Sequence, residues 1–163
     1  PQQCNPRMTI VEGRAAMSPR EYPDRPFVGV GVVILGPDGV VMIQRGNPPR
    51  KGSWSLPGGA QELGETVNQS AIREAHEETG LEIEVIGLVD VVDSIRTDDA
   101  GAIQYHYTLV DVAARTTGGT LSAGGDAMDA KWIALNEISA MGLWSETVRI
   151  VEMAAEMAAA MPD

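Results

Sequence analysis

Residues 65–80, ETVNQSAIREAHEETG, carry three glutamates, Glu74, Glu77 and Glu78, within a stretch suited to a helix. Thr66 followed by Gln69 makes a capping-box pattern, and Gly80 supplies a left-handed stop. Like charges three and four apart on a helix repel, costing about 0.2–0.5 kcal/mol per pair. The chain already carries a formal net charge of −11, so acid gathered here needs a physical reason.

Position on the helix supplies one. At about 100° per residue with Val67 as origin, Ala71, Ala75 and Ile72 fall near 40°, 80° and 140° and form the apolar stripe. Gln69, His76 and Arg73 fall near 180–240°, the solvent side, whereas Glu74, Glu78 and Glu77 land at about −20°, +20° and −80°. The acids therefore share a shoulder with the stripe that must meet the rest of the fold. Carboxylates held together at a core edge require a compensating cation. Arg73 can meet Glu77 at i,i+4, but one arginine does not neutralise three carboxylates. A divalent metal does, and Mg²⁺ binds through one or two carboxylates plus water and substrate phosphate. Once loaded, such a site becomes positive and accepts a polyphosphate that the bare chain would repel.

The acidic balance argues against a nucleic-acid polymer as partner, since that binding relies on Lys and Arg neutralising phosphates. No apolar run approaches the ~20 residues of a membrane span. The first residues lack the apolar centre of a signal peptide, and the single Cys4 has no internal disulfide partner. A cytoplasmic protein without membrane contact is the expectation.

At 163 residues the chain suits one compact domain. Residues 1–25, punctuated by Pro and Arg, read as an N-terminal extension or arm, and 26–163 as a single domain. FVGVGVVILG (27–36), PDG and VVMIQR (40–45) read as strand, turn, strand. Residues 46–59 are dense in Gly and Pro and read as a loop. Residues 81–95 and 102–114 read as long strands, 115–129 as a looser stretch, and 130–135 as a short strand. Residues 144–161 read as a helix with Ser145 as N-cap. This order favours an α/β sandwich with a mixed sheet.

With these readings in place, GAQELGETVNQSAIREAHEETGL (59–81) resembles the signature of the Nudix hydrolases, G-x₅-E-x₇-R-E-U-x-E-E-x-G-U with U a bulky aliphatic residue. Gly59, Glu65, Arg73, Glu74, Glu77, Glu78, Gly80 and Leu81 match, and Ala75 is the one departure, at a U position. At ordinary residue frequencies, the seven fixed identities coincide by chance on the order of once in 10⁸ starts. The resemblance extends over about residues 25–161 and implies the family's α/β/α sandwich with a mixed sheet.

It also implies roles. Glu74, Glu77 and Glu78 resemble the metal-binding acids, joined by the backbone carbonyl of Gly58. Arg73 and Glu65 resemble the pair that orients them. A further carboxylate from a late loop, as metal ligand or base, maps to Asp126. Many small ADP-ribose pyrophosphatases have Asp-Asp-Ala where this chain has Gly125-Asp126-Ala127, so the base stays open between Asp126 and Glu74. Asp129 is also nearby, with an ordinary explanation as a solvated strand-start acid.

The implied reaction is Mg²⁺-dependent hydrolysis (Mn²⁺ as alternative) of a nucleoside diphosphate linked to another group, with ADP-ribose or a similar nucleotide sugar first. A nucleoside triphosphate is the second expectation, and a non-catalytic nucleotide-binding module the third. Arg45, Arg50 and Lys51 flank the loop before the signature and could meet substrate phosphate or a terminal ribose. His76 and His106 carry no assigned role, and Trp54 reads as a loop anchor. Met153, Met157 and Met161 read as core or dimer packing, and a homodimer is a family-level expectation.

Overall fold

The computed structural model describes residues 18–161; Cys4 and most of the expected arm lie outside them. Seven strands form one mixed sheet, covered by a helix on each face, with element order β1 (Phe27–Gly36), β2 (Gly39–Arg45), β3 (Trp54–Ser55), β4 (Gly58–Ala60), α1 (Val67–Thr79), β5 (Leu81–Thr97), β6 (Ile103–Gly119), β7 (Ala127–Ile133) and α2 (Ser145–Ala159). A 3₁₀ turn, Leu135–Ala140, precedes α2.

The sheet runs β3-β2-β1-β6-β5, with β4 added to β1 and β7 to β2. Among the described residues only β1 and β6 pair in parallel, from Phe27 opposite Tyr107 to Leu35 opposite Arg115; the other pairs are antiparallel. This is the expected mixed sheet. Both faces of β1 are buried, which is why its sequence reads as an almost unbroken β-branched run. Val30, Val32 and Ile34 face α1 with Val41, Ala71, Ala75, Leu81 and Val112. Val33 faces α2 with Val40, Met42, Ala113, Ile150, Val151 and Ala154. Each fully buried Val or Ile contributes about 1.5–3 kcal/mol of transfer free energy, so two cores of this size fix the layer order.

Several expectations change in detail. The loop 46–59 contains the short strands β3 and β4. β6 continues to Gly119, five residues past its expected end, and β7 begins at Ala127. Trp144, not Ser145, is the N-cap of α2, and no side-chain cap bond forms there. Ile72, assigned to the apolar stripe of α1, is exposed. The long β5–β6 hairpin bends through four register shifts, each of which sharpens local twist. Residues of the expected arm that are described pack on that hairpin: the Tyr22 amide donates to the Gln104 carbonyl, and the Tyr22 hydroxyl donates to Asp98 at 2.9 Å.

Candidate active site

The site begins with the capping of α1. The Thr66 hydroxyl accepts from the Gln69 amide at 3.2 Å, and the Gln69 side chain accepts from the Thr66 amide at 2.8 Å. Gly80 closes the other end at φ 69°. These caps set the rotation of the helix, and the buried face proves to be Ser70, Ala71, Glu74, Ala75, Glu78 and Thr79. Two of the three acids are thus within the buried stripe, not merely at its shoulder. Ala75, at the signature's aliphatic position, is fully buried; a larger side chain there would have to displace sheet residues.

Glycines let the helix approach this closely. Gly58 and Gly59 lie in β4, paired opposite Gly31 and Val30 of β1. A Cβ on Gly59 would fall within the Glu74 carboxylate, 2.7 Å from its carbon, and one on Gly58 would strike the Val30 carbonyl. The Gly58 amide donates to Glu78 Oε2 at 2.9 Å. The two-glycine turn therefore seats both buried carboxylates against backbone.

Arg73 organises the acids from the side. Its Nε and Nη2 grip Glu65 at 2.6 and 3.0 Å, and its Nη1 donates to Glu74 at 2.8 Å and Glu77 at 3.2 Å. Nη2 also reaches the Ala60 carbonyl at 3.3 Å, tying the helix to β4. The expectation of a solvent-side Arg73 is corrected: its long stem curls back so that the side chain is only 22% exposed. Glu65 in turn receives the Glu62 amide at 3.0 Å.

The acids differ electrostatically. The Arg73 hydrogen bonds hold Glu65 down to about 2. Burial raises Glu74 above the usual carboxylate range, and the Arg73 bond only partly opposes it. Burial pushes Glu78 up to about 7, with the Gly58 amide pulling down and Glu74 and Asp126 pushing up. Glu77 is exposed. Arg73 therefore satisfies the rim, while the deepest carboxylate lacks a cationic partner in contact.

Among the described residues, no three His, Cys, Asp or Glu side chains converge enough to hold a metal in this arrangement: Glu74 and Glu77 turn to Arg73, and Glu78 to Gly58. The donor set nonetheless fits a hard divalent cation, because Glu74 and Glu78 offer carboxylate oxygens that burial leaves undercompensated. Asp126 is exposed on the loop before β7, within the field of Glu78. That loop docks on the end of α1, where the Gly124 amide donates to the Glu78 carbonyl at 3.1 Å, and on β2, where the Gly46 amide donates to the Asp126 carbonyl at 2.8 Å. Asp129 is engaged by Lys131 at 3.1 Å and is not part of this group.

Arg45, at the end of β2, lies in the field of Glu78, and its Nε is buried without an acceptor. Arg50 is exposed on the following loop, near Arg45 and Arg96. Arg96 was not anticipated; its only signal in the sequence is a lone cation in an acid-rich strand. His76 is exposed, and Trp54 packs on the α2-side core under Lys131, in keeping with a loop anchor.

Comparison with known proteins agrees with this construction. The family description NUDIX domain matches residues 25–153. The chain is 37% identical over 123 residues to an ADP-ribose pyrophosphatase of Methanocaldococcus jannaschii, covering 76% of this chain and 70% of that protein. It is 35% identical over 101 residues to the 8-oxo-dGDP phosphatase NUDT18 of Mus musculus, covering 62% of this chain but only 28% of the longer relative. Among solved structures, a MutT NUDIX hydrolase from Burkholderia pseudomallei superposes with a TM-score of 0.67 at 28% identity, over 80% of this chain and 98% of that one. A signature helix whose acids are seated on a two-glycine turn, inside a matching sandwich, makes this chain a member of the Nudix family and a hydrolase of phosphorus-containing anhydrides.

Proposed function

We propose that the protein hydrolyses a nucleoside diphosphate linked to another moiety, with ADP-ribose or a similar nucleotide sugar as substrate and AMP plus a sugar phosphate as products. The observation that carries this reading is the pair of buried, undercompensated carboxylates, Glu74 and Glu78, with Glu78 in the field of Arg45, whose buried Nε has no acceptor among the described residues. An acid pair with a cation in its field suits a ligand that brings both a divalent metal and phosphate.

In this reading Glu74, Glu77, Glu78, Asp126 and the Gly58 carbonyl hold Mg²⁺, with Mn²⁺ as alternative. The bound metal would neutralise the diphosphate and acidify a water. Arg73 and Glu65 hold Glu74 and Glu77 in position. Arg45 receives a diphosphate oxygen, with Arg50 beyond it on the substrate side. Asp126 or Glu74 accepts the proton of the attacking water. Burial raises Glu74 above the usual carboxylate range, whereas Asp126 is the more accessible.

Product identity tests the proposal. Incubation of the protein and Mg²⁺ with ADP-ribose should release AMP and ribose 5-phosphate. Release of pyrophosphate from nucleoside triphosphates, with ADP-ribose untouched, would replace it with the second reading, a triphosphate pyrophosphohydrolase of nucleotide-pool sanitation; the likeness to an 8-oxo-dGDP phosphatase favours sanitation, with orthophosphate released from a diphosphate as its own signature. We further propose that the protein acts in the cytoplasm as a homodimer. Light scattering of a chain lacking residues 1–22 tests whether the arm is exchanged between protomers, a loss of dimer being the expected result.

A further inference from the structure

Among the described residues, two buried side-chain polar atoms have no hydrogen-bond partner, Arg45 Nε and Ser55 Oγ. Elsewhere the fold satisfies such groups. The Thr79 hydroxyl donates to the Ala75 carbonyl, and the Ser70 hydroxyl accepts from Arg73 Nη2 at 3.5 Å. A buried polar group left unpaired destabilises a fold, so two of them in adjoining strands need a reason.

The strand ladder places the two on one face. β3 pairs with β2 so that Ser55 lies opposite Ile43 and Trp54 opposite Gln44. The Arg45 amide donates to the Ser53 carbonyl at 2.9 Å, which carries the ladder one step further. Side chains alternate between faces along a strand. Trp54 and Leu56, which flank Ser55, pack into the α2-side core, so Ser55 faces the α1 side. Val41, two and four residues before Ile43 and Arg45, packs into the α1-side core, so Arg45 faces that side as well. Diagonal neighbours across a ladder stand about 7–8 Å apart, a gap that an arginine stem spans.

Main-chain contacts tie both residues to the end of α1 that carries Glu78. Ser55 leads through Leu56 and Pro57 to Gly58, whose amide donates to Glu78 Oε2 at 2.9 Å. Arg45 pairs with Ala127 of β7. The Ala127 amide donates to the Gly124 carbonyl at 3.0 Å, and the Gly124 amide donates to the Glu78 carbonyl at 3.1 Å. The chemistry of the pair restricts what completes it. A guanidinium N–H only donates, whereas a hydroxyl donates or accepts. A single group that satisfies both is therefore an acceptor, and beside a cation the strongest acceptor is an anionic oxygen. The acids at this end of α1 repel a bare anion, so the oxygen belongs to a phosphate that arrives with a divalent metal.

We propose that the Ser55 hydroxyl, together with Arg45 Nε, donates to one oxygen of the substrate's diphosphate, which makes Ser55 a substrate-binding residue. Rotation about its Cα–Cβ bond, which has three staggered positions, turns the hydroxyl from its buried seat toward the ligand. The inference rests on the proposed metal-assisted cleavage of a diphosphate at this site and adds a contact from the sheet side. It does not depend on which group the diphosphate carries. Its signature is a pair of effects of opposite sign. A hydroxyl that finds its partner only in the ligand weakens the free protein, so its deletion strengthens the fold and weakens binding. Deletion of a hydroxyl that holds the fold together lowers stability instead.

Calorimetric titration with methylene diphosphonate in saturating Mg²⁺ tests the binding arm. This probe carries the two phosphorus groups common to the candidate diphosphate substrates, on a bridge that water does not cleave. Ser55→Ala should bind it about tenfold more weakly than the wild type, and Ser55→Thr, which keeps the hydroxyl, should retain most of the affinity. In EDTA without ligand, Ser55→Ala should melt about 2–4 °C above the wild type. Equal affinity in the wild type and Ser55→Ala, no binding by the wild type, or a Ser55→Ala melting temperature at or below that of the wild type would overturn the proposal. The substrate is judged separately: a protein that binds the diphosphonate through Ser55 but leaves ADP-ribose intact keeps the contact and loses the nucleotide-sugar reading.

Discussion

Replacement of Glu78 by Gln separates the physical argument for the site from its chemistry. In the folded protein burial raises this carboxyl from 4.5 to about 7. The unfolded chain ionises it near 4.5, so between those values the folded state holds more protons and loses stability as pH rises. At 1.36 kcal/mol per pH unit, the cost reaches about 3 kcal/mol above pH 7 and is nearly absent below pH 4.5. Gln keeps an acceptor for the Gly58 amide, which lies 2.9 Å from Oε2, and removes the charge. Any cost of seating the neutral amide applies at every pH and cancels in the comparison. Urea denaturation in EDTA at pH 5 and pH 8 should therefore show Glu78→Gln gaining about 2–3 kcal/mol on the wild type between the two conditions. With a slope near 2 kcal/mol/M, that is a shift in relative midpoint of about 1 M. Saturating Mg²⁺ should stabilise the wild type at pH 8 and the variant far less, while turnover falls by orders of magnitude. An unchanged stability difference between pH 5 and pH 8 would refute the burial argument, and wild-type turnover would refute the role in metal binding.

Asp111→Asn provides a control on the other face of the sheet. Burial, then repulsion from Asp90, pushes Asp111 up to about 6, so the variant should gain about 2–3 kcal/mol at pH 7.5 but little at pH 4; turnover reduced more than twofold would show that this face communicates with the site. Gly59→Ala should displace the Glu74 carboxylate and lower kcat/KM about 10–100-fold, with the melting temperature changed by no more than a few degrees, measured by circular dichroism and a coupled phosphate assay. Arg73→Gln removes the contacts to Glu65, Glu74, Glu77 and the Ala60 carbonyl together. Metal titration followed by turnover should show affinity reduced about 10–100-fold, and an unchanged Mg²⁺ dependence would count against its positioning role.

Much of the fold was legible in sequence because its signals are local. The Thr66–Gln69 box, the Gly80 stop and the β-branched run of β1 depend on residues a few positions apart, and each appears as expected. The extent of β6 did not, because residues 115–119 are held by pairing with residues 81–84 of β5 across the sheet, not by their own propensity. Ser145 was read as a cap because its side chain could serve, but the chain turns one residue earlier, at Trp144.

The site divides in the same way. Helical spacing alone placed Glu74 and Glu78 where they had to meet the core, since a period of 3.6 residues fixes direction around the axis. Spacing does not reveal depth. Only the packing of α1 on β4 decides that Glu78 is buried and Glu77 exposed, and burial makes one carboxylate hold its proton to about pH 7. The buried, acceptor-free Nε of Arg45 likewise emerges only from the fold, because burial is a property of three-dimensional packing. The sequence by itself determined the helix, its acids and the family chemistry they carry. The tertiary structure decided how deeply each acid is buried, and so which of them needs a compensating cation, because depth depends on packing across the sheet.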